Sequence, residues 1–305
     1  MQAIVLSDYG DANQLQLRER PEPEPGAGQI KVRVACAGVN PVDFKLRSGA
    51  LQKVMPLELP TILGRDAAGE VVRVGAGVTE FKEGDQVLGL VNGSYAQFVA
   101  AGTEAWAKLP EGLAARDAGV LPLVLLTGDQ LAEATLGPSA GAGLTVLVTG
   151  ALGAVGRVAA WGIRQRGARV LGGVRSKQLA EAKALDVDDV VAIDDAEAIA
   201  RLPDLDCIAD TVDGETISML LPKLKASGTL GSVLGEPKGA RERGILVSAI
   251  MAHPDSARLA RLAHAVASGS LKVPIAKRFP LAETPAAHAF AEQGGVGKVA
   301  LMPFA

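Results

Sequence analysis

VLVTGALGAVGRVAAWGIRQRGARVLGGVRSK, residues 146–177, decides the fold. Thr145 to Thr149 is an apolar run, the texture of a strand covered on both faces. A glycine turn follows (Gly150, Gly153, Gly156), then a helix over Val155 to Arg166 and a second strand over Ala168 to Val174. Gly153 has no Cβ, so a pyrophosphate can approach the backbone there. The free N–H groups and positive dipole of the helix start receive its charge. Gly156 allows the helix to pack closely on the strand. The first glycine of the usual pattern is replaced by Ala151, giving A-x-G-x-x-G. Two readings stand: a dinucleotide site, or a tight turn that only packs. The position between a strand and a helix favours the first.

The second strand carries the choice of coenzyme. A site for NAD usually places an acid about 20 residues on, bonded to the ribose 2′-hydroxyl. Here the segment is Leu171-Gly172-Gly173-Val174-Arg175-Ser176-Lys177, with no acid. Arg175 and Lys177 are cationic and Ser176 donates a hydrogen bond, which suits a 2′-phosphate. NADPH is therefore expected. A solvated basic turn would explain the charges but not the missing acid.

Outward from this segment, strands and helices continue to alternate. Ser176 to Leu185 reads as a helix, and Val190 to Ile193 and Cys207 to Thr211 as strands. That alternation predicts a doubly wound parallel sheet. Residues 116–136 read as a helix stopped by Gly137-Pro138. Before residue 115 the texture is β: Ile30, Val32 and Val34 alternate with Lys31 and Arg33, and short strands are separated by turns such as Gly84-Asp85. Near the end, Asp255 to Ala267 reads as a helix and LKVPIAKRFPL as strand and loop, so the chain is expected to return to its first domain. The expected domains are 1–117, completed by about 268–305, and 118–267.

Composition narrows the class. The chain has 305 residues, 48% of them apolar and 21% charged, enough for two cores and too apolar for disorder. Mean hydropathy is +0.23. Thirty-one Lys and Arg against 34 Asp and Glu give a net charge of −3, with no pull toward nucleic acid or an anionic membrane. The longest apolar run, Val120 to Leu126, is far short of a membrane span. The N-terminus MQAIVLSDYGD has no signal-peptide pattern, so a cytoplasmic location is expected. Two Cys and three His exclude a disulfide scaffold and all but exclude a zinc-ligand cluster. Cys36 and Cys207 lie in strand-like runs and read as buried, inert thiols. His253 reads as a structural hydrogen bonder, His264 and His288 as helix-face residues, and Tyr95 as a packed strand residue.

Several segments together resemble the medium-chain dehydrogenase/reductase superfamily, in its zinc-free quinone oxidoreductase (zeta-crystallin-like) branch. They are CAGVNPVDFKLRSG (36–49), PTILGRDAAGEVVRVGAGVTEFKEGDQVLG (60–89), LPLVLLTGDQLAE (121–133), VTGALGAVG (148–156), SGSLKVPIAKRFPLAETPAAHA (268–289) and GKVALMP (297–303). The resemblance implies a GroES-like, mainly β domain beside a Rossmann domain, the coenzyme in the cleft between them, and a homodimer joined through sheet edges. It places Asn40 near the nicotinamide and the substrate carbonyl and Thr127 on the nicotinamide-ribose side. Ala154 and Val155 lie over the pyrophosphate, and Arg175, Ser176 and Lys177 at the 2′-phosphate. Lys298 closes over the nicotinamide half, and Phe44 lines the substrate pocket. Where zinc-dependent relatives carry a Cys and a His ligand, this chain has Asn40 and Arg65. Asn is a poor zinc ligand and Arg is none. Arg65 is expected to pair with Asp43 or Asp66, or else to touch substrate or cofactor.

No other catalytic pattern fits. Tyr9 and Tyr95 lack a Lys four residues on, and GSVLG (231–235) has Val where a nucleophile elbow has Ser. Two functions follow. One is an NADPH-dependent, zinc-independent reductase of quinones or α,β-unsaturated carbonyls. There the Asn40 amide, a backbone N–H or ordered water meets the developing charge. The other is an NADPH-binding structural or sensing protein with little turnover.

Overall fold

The computed structural model describes residues 1–137 and 141–305; Pro138, expected to end a helix, lies outside them. The chain divides into two compact units, Met1–Leu123 with Pro254–Ala305, and Val124–His253.

The first unit is built on a seven-stranded sheet in which Gln29–Val39 is central. It pairs with Asp66–Val74 along its length, with Phe98–Gly102 over its N-terminal half and with Lys298–Met302, from the end of the chain, over Ala37–Val39. Ile30, Val32 and Val34 point into the core, as their alternation requires, and Arg33 points out. Lys31 departs from the pattern and is buried. Its ammonium pairs with Glu22 at 2.7 Å and sits 5.1 Å from the Phe98 ring centre, so the stem is covered while the charge is met. The strand is bulged at Lys31/Val32 and Val34/Cys36. Gly69 serves the second bulge: a Cβ there would stand 1.9 Å from the Arg33 carbonyl oxygen.

The expected domain edges, 117/118 and 267/268, differ from the observed ones by a few residues at one end and a whole helix at the other. Residues 119–123 belong with the first unit because Gly119 lies against Cys36, where a Cβ would be 2.1 Å from its carbonyl oxygen, and because Leu123 N–H donates to Asp66. The helix Ser256–Ala267 packs against the strand Trp106–Lys108, and it buries Leu259, Leu262 and Ala263.

The second unit is a six-stranded parallel sheet. Numbered in chain order its strands run 3-2-1-4-5-6, the doubly wound arrangement. Strand 1 is Thr145–Thr149, strand 2 Arg169–Val174, strand 3 Asp189–Ala192 and strand 4 Leu205–Asp210. Leu224–Ser232 and Leu246–Ala249 complete it and were not legible in the sequence. The former reads LKASGTLGS, too glycine-rich and polar to stand out. Its Gly231 is required because a Cβ there would stand 2.2 Å from Thr135 Oγ1. The expected helix over 176–185 is shorter, a single 3₁₀ turn Ser176–Gln178 followed by Leu179–Ala182.

Candidate functional site

In the second unit the glycine turn sits where the strand order reverses, between strands 1 and 4. Thr149 fastens that point. Its hydroxyl donates to Asp210 at 2.8 Å and accepts from Thr211 N–H at 2.8 Å, and Thr211 Oγ1 donates back to the Thr149 carbonyl. Gly150 turns the chain at φ 63°, a conformation that favours glycine. Gly153 is the N-cap of the helix Ala154–Gln165 and offers no side chain to its first turn. The first-turn N–H groups of Ala154 and Val155 therefore face outward. A Cβ on Gly153 would meet one atom, the Gly150 carbonyl oxygen at 3.1 Å, so the space before the helix is open. A Cβ on Gly156 would stand 2.2 Å from the same oxygen, which is the close packing expected of the third glycine. Ala151 is buried and donates its N–H to the Gly173 carbonyl. Gly172 makes room for its methyl, since a Cβ there would stand 3.3 Å away. The substitution in the glycine pattern is thus accommodated locally, and the residues fit a dinucleotide pyrophosphate. Thr127 is buried on the helix Pro122–Leu136, beside Gly128, which lets that helix approach Val158.

Arg175, Ser176 and Lys177 are all exposed at the carboxyl end of strand 2. Ser176 is already engaged. Both its N–H and its hydroxyl donate to Asp194 Oδ1, each at 2.7 Å, and this holds the Asp194 carboxyl below its usual range. An acid is therefore present after all. It arrives from the end of strand 3, outside the window in which the sequence pattern looks for it.

In the first unit the expected site residues converge on a buried polar cluster. Asn40 is 1% exposed and caps the helix Pro41–Arg47, its N–H donating to Asp43 Oδ2 at 2.8 Å. Its carboxamide is committed at both ends: Oδ1 accepts from the Lys298 ammonium, and Nδ2 donates to Asp66 Oδ2 at 2.7 Å. Asn40 is thus no free donor for a substrate oxygen, contrary to the first of the alternatives drawn from the sequence. Lys298 also donates to the Val39 carbonyl at 2.9 Å. Burial pushes the Asp66 carboxyl up and the Lys298 ammonium down, and each tempers the other's shift. The ion pair expected for Arg65 with Asp43 or Asp66 is not formed among the described residues: Asp66 bonds Asn40 and Leu123, and Asp43 bonds Asn40 and Tyr95 through Oδ2 alone, its Oδ1 buried without a partner there. Arg65 Nε is buried without a hydrogen-bond partner among the described residues.

From Asp43 the cluster runs outward through residues the sequence did not connect. Tyr95, a buried loop residue rather than a strand residue, donates its hydroxyl to Asp43 Oδ2 at 2.9 Å. His288 Nε2 lies 3.2 Å from that hydroxyl, and His288 Nδ1 lies 3.2 Å from Arg47 Nη1. Arg47 ends the chain on Glu292 at 2.7 Å. Because a guanidinium only donates, Nδ1 accepts, and the single imidazole proton sits on Nε2, facing Tyr95. His288 is therefore neutral, and it lies on the buried face of the helix Thr284–Glu292. Phe44 is half-buried, its ring edge-on to His288 with centroids 6.4 Å apart. Burial, then the Arg47 charge, push the imidazole down to about 3, while burial pushes Asp43 up to about 7.

These shifts have opposite signs in stability. Between pH 3 and 6.5 the unfolded chain binds a proton on His288 that the folded chain refuses, so this residue's contribution weakens as pH falls through that window. Asp43 does the reverse, its contribution weakening as pH rises from 3.8 to about 7. His288→Gln keeps a donor for Tyr95 and an acceptor for Arg47 but does not titrate. Wild type should lose stability relative to this variant on going from neutral pH to about pH 4, read from urea midpoints. A pH-independent gap would remove the neutral imidazole from the account.

The remaining expectations fall outside this cluster. Cys36 and Cys207 are buried free thiols, and burial raises both, Cys36 to about 12. His253 meets Gln130 through its backbone, while His264 is exposed. No helix among the described residues is long and apolar enough to cross a membrane.

A parallel sheet of this order with a glycine turn at its reversal defines a dinucleotide-binding fold. Comparison with known proteins refines that class. Residues 26–111 match the alcohol dehydrogenase GroES-like domain, and residues 185–301 the zinc-binding dehydrogenase family. The chloroplast envelope quinone oxidoreductase homolog of Arabidopsis thaliana is 27% identical over 293 residues, covering 89% of each chain. A chloroplastic NADPH-dependent alkenal/one oxidoreductase of the same plant is 34% identical over 167 residues, 51% of this chain and 42% of that protein. The structure of mycobacterial Rv1454c complexed with NADPH superposes with a TM-score of 0.85 at 27% identity, covering 99% of this chain and 100% of that one. The chain belongs to the medium-chain dehydrogenase/reductase family, in its quinone oxidoreductase branch.

The catalytic zinc that the second family's name implies does not fit the residues present. Arg65 has no lone pair to give, and Asn40 Oδ1 faces an ammonium. Among the described residues no group of three or more His, Cys, Asp or Glu converges to hold a metal.

Proposed function

We propose that the chain is an NADPH-dependent, zinc-independent oxidoreductase that reduces a quinone or an α,β-unsaturated carbonyl. The observation that carries this reading is the open cradle before Ala154, at the reversal of the sheet, with Arg175 and Lys177 at the end of the neighbouring strand. The names of the two plant relatives support the acceptor class, and the mycobacterial complex supports the coenzyme. Bound NADPH supplies a hydride, and solvent supplies the proton. Gly153, Ala154, Val155 and Gly156 seat the pyrophosphate, and Arg175 and Lys177 meet the 2′-phosphate. A quinone or enone spreads the incoming charge over a π-system and needs less help at oxygen than an isolated ketone. That matches a buried cluster whose Asn40 amide is spent internally and whose Arg65 Nε has no hydrogen-bond partner among the described residues. The strand Leu246–Ala249, at the sheet edge with Leu246 66% exposed, is the surface we assign to a homodimer.

The test is oxidation of NADPH in the presence of a 1,4-quinone and, separately, a short enone. Turnover with either is expected, and the preferred acceptor names the subclass. Tight NADPH binding without turnover on both would instead make the chain a coenzyme-binding structural or sensing protein.

A further inference from the structure

We propose that Asp194 sets the coenzyme preference of this site: it disfavours a 2′-phosphate and offers an acceptor to a 2′-hydroxyl, so that the chain takes NADH as well as NADPH. This rests on the reductase reading above and deepens it. The acid of an NAD site usually follows strand 2. Here it follows strand 3. Strands 2 and 3 end side by side, Val174 paired with Ala192, and Ile193 N–H donates to the Val174 carbonyl. That register brings the Asp194 carboxylate against Ser176.

The geometry assigns each donor. A 2′-phosphate bound at this turn would seek the Ser176 N–H and hydroxyl along with the two cations. Both Ser176 donors already point at Asp194 Oδ1. A phosphate must then displace the carboxylate or settle beside it, on Arg175 and Lys177 alone. Like charges a few ångström apart repel even in water, enough for about a tenfold change in affinity. A 2′-hydroxyl meets no such penalty. It donates to Asp194 Oδ2 while Oδ1 keeps Ser176 in place. Asp194, Arg175, Ser176 and Lys177 are all exposed, so this balance can be altered without disturbing a core.

The experiment measures dissociation constants of NADPH and NADH by titration calorimetry, independent of turnover, for wild type, Asp194→Asn, Asp194→Ala and Arg175→Ala. Wild type should bind both coenzymes within roughly tenfold of each other. Asp194→Asn removes the charge but keeps an acceptor for Ser176, and should shift the ratio toward NADPH about tenfold. Asp194→Ala also frees both Ser176 donors and removes the acceptor for a hydroxyl, and should shift it further. Arg175→Ala should move the ratio the other way. An unchanged ratio in both Asp194 variants, with both coenzymes still bound, overturns the role of Asp194 and leaves the reductase reading intact. Arg175→Ala weakening both coenzymes equally moves the adenosine end away from this turn and overturns the proposal. Wild type that binds neither coenzyme defeats the reductase reading itself, and this inference with it.

Discussion

Gly153→Val is expected to fold and melt like wild type and to lose its coenzyme. Gly153 has φ −67° and ψ 156°, a conformation open to any residue, so no backbone strain is introduced. The new Cβ would meet the Gly150 carbonyl oxygen at 3.1 Å and nothing else within 4 Å. Stability should therefore change by no more than about 1 kcal/mol. The isopropyl group, however, fills the space in which a pyrophosphate must lie against the helix start. Affinity for NADPH should fall by about a hundredfold or more, some 2.8 kcal/mol. Gly156→Val makes the contrast. Its Cβ would stand 2.2 Å from a carbonyl oxygen and 3.0 Å from the Ala151 Cα, so the second unit should fail to fold. Thermal melting and NADPH titration of the two variants separate a cradle from a packing turn. If Gly153→Val bound coenzyme as wild type does, the site would have to lie elsewhere.

Lys298→Met should be the most destabilising single change in the first unit. The ammonium is the buried counter-charge of Asp66, its strongest attractive partner, and a weaker one of Asp43. It also ties the Val39 carbonyl and the Asn40 carboxamide to the strand Lys298–Met302. Methionine fills much of the volume but leaves the buried Asp66 and Asp43 carboxyl groups without their ammonium counter-charge. Removing one partner of a buried pair costs about 3–5 kcal/mol, mostly the penalty of the charge left behind. Without the lysine the Asp66 carboxyl rises further, so the folded variant holds protons that its unfolded chain releases. Its deficit against wild type should grow as pH rises from acid toward neutral. Urea unfolding at both ends of that range tests the sign. Adding Asp66→Asn should return part of the loss, because the two sites are coupled. A pH-independent deficit, unrelieved by the second change, would make Lys298 a matter of packing alone.

The glycine turn, the parallel sheet and the return of the chain to its first unit were legible because each rests on local pattern: strand next to turn next to helix, and period-2 alternation. What stayed hidden was tertiary. The links Tyr95–Asp43, His288–Tyr95 and Arg47–His288 span 52, 193 and 241 residues, and no spacing rule joins such positions. Asp194 is only 18 residues from Ser176, yet it comes from the next strand and escaped a search tuned to the end of strand 2. The helix Ser256–Ala267 is legible in the sequence as a helix, but not as a part of the first unit. An apolar face says that something covers it, not which sheet does. Arg65 shows the same limit from the other side. Its charge suggested an acidic partner, but the neighbouring carboxylates had bound amides and a phenol instead.

The place of the strand Lys298–Met302 has a consequence for biosynthesis. It lies inside its sheet, between Gln29–Val39 and Ile275–Pro280, and not at the margin. The early strand Gln29–Val39 therefore waits, with its Ala37–Val39 end unpaired on one flank, until residue 302 has emerged. The segment 124–253 carries its whole sheet within one continuous stretch and can consolidate while translation continues. Nascent chains arrested shortly after residue 253 should already resist protease over that stretch and be cleaved throughout the first 123 residues.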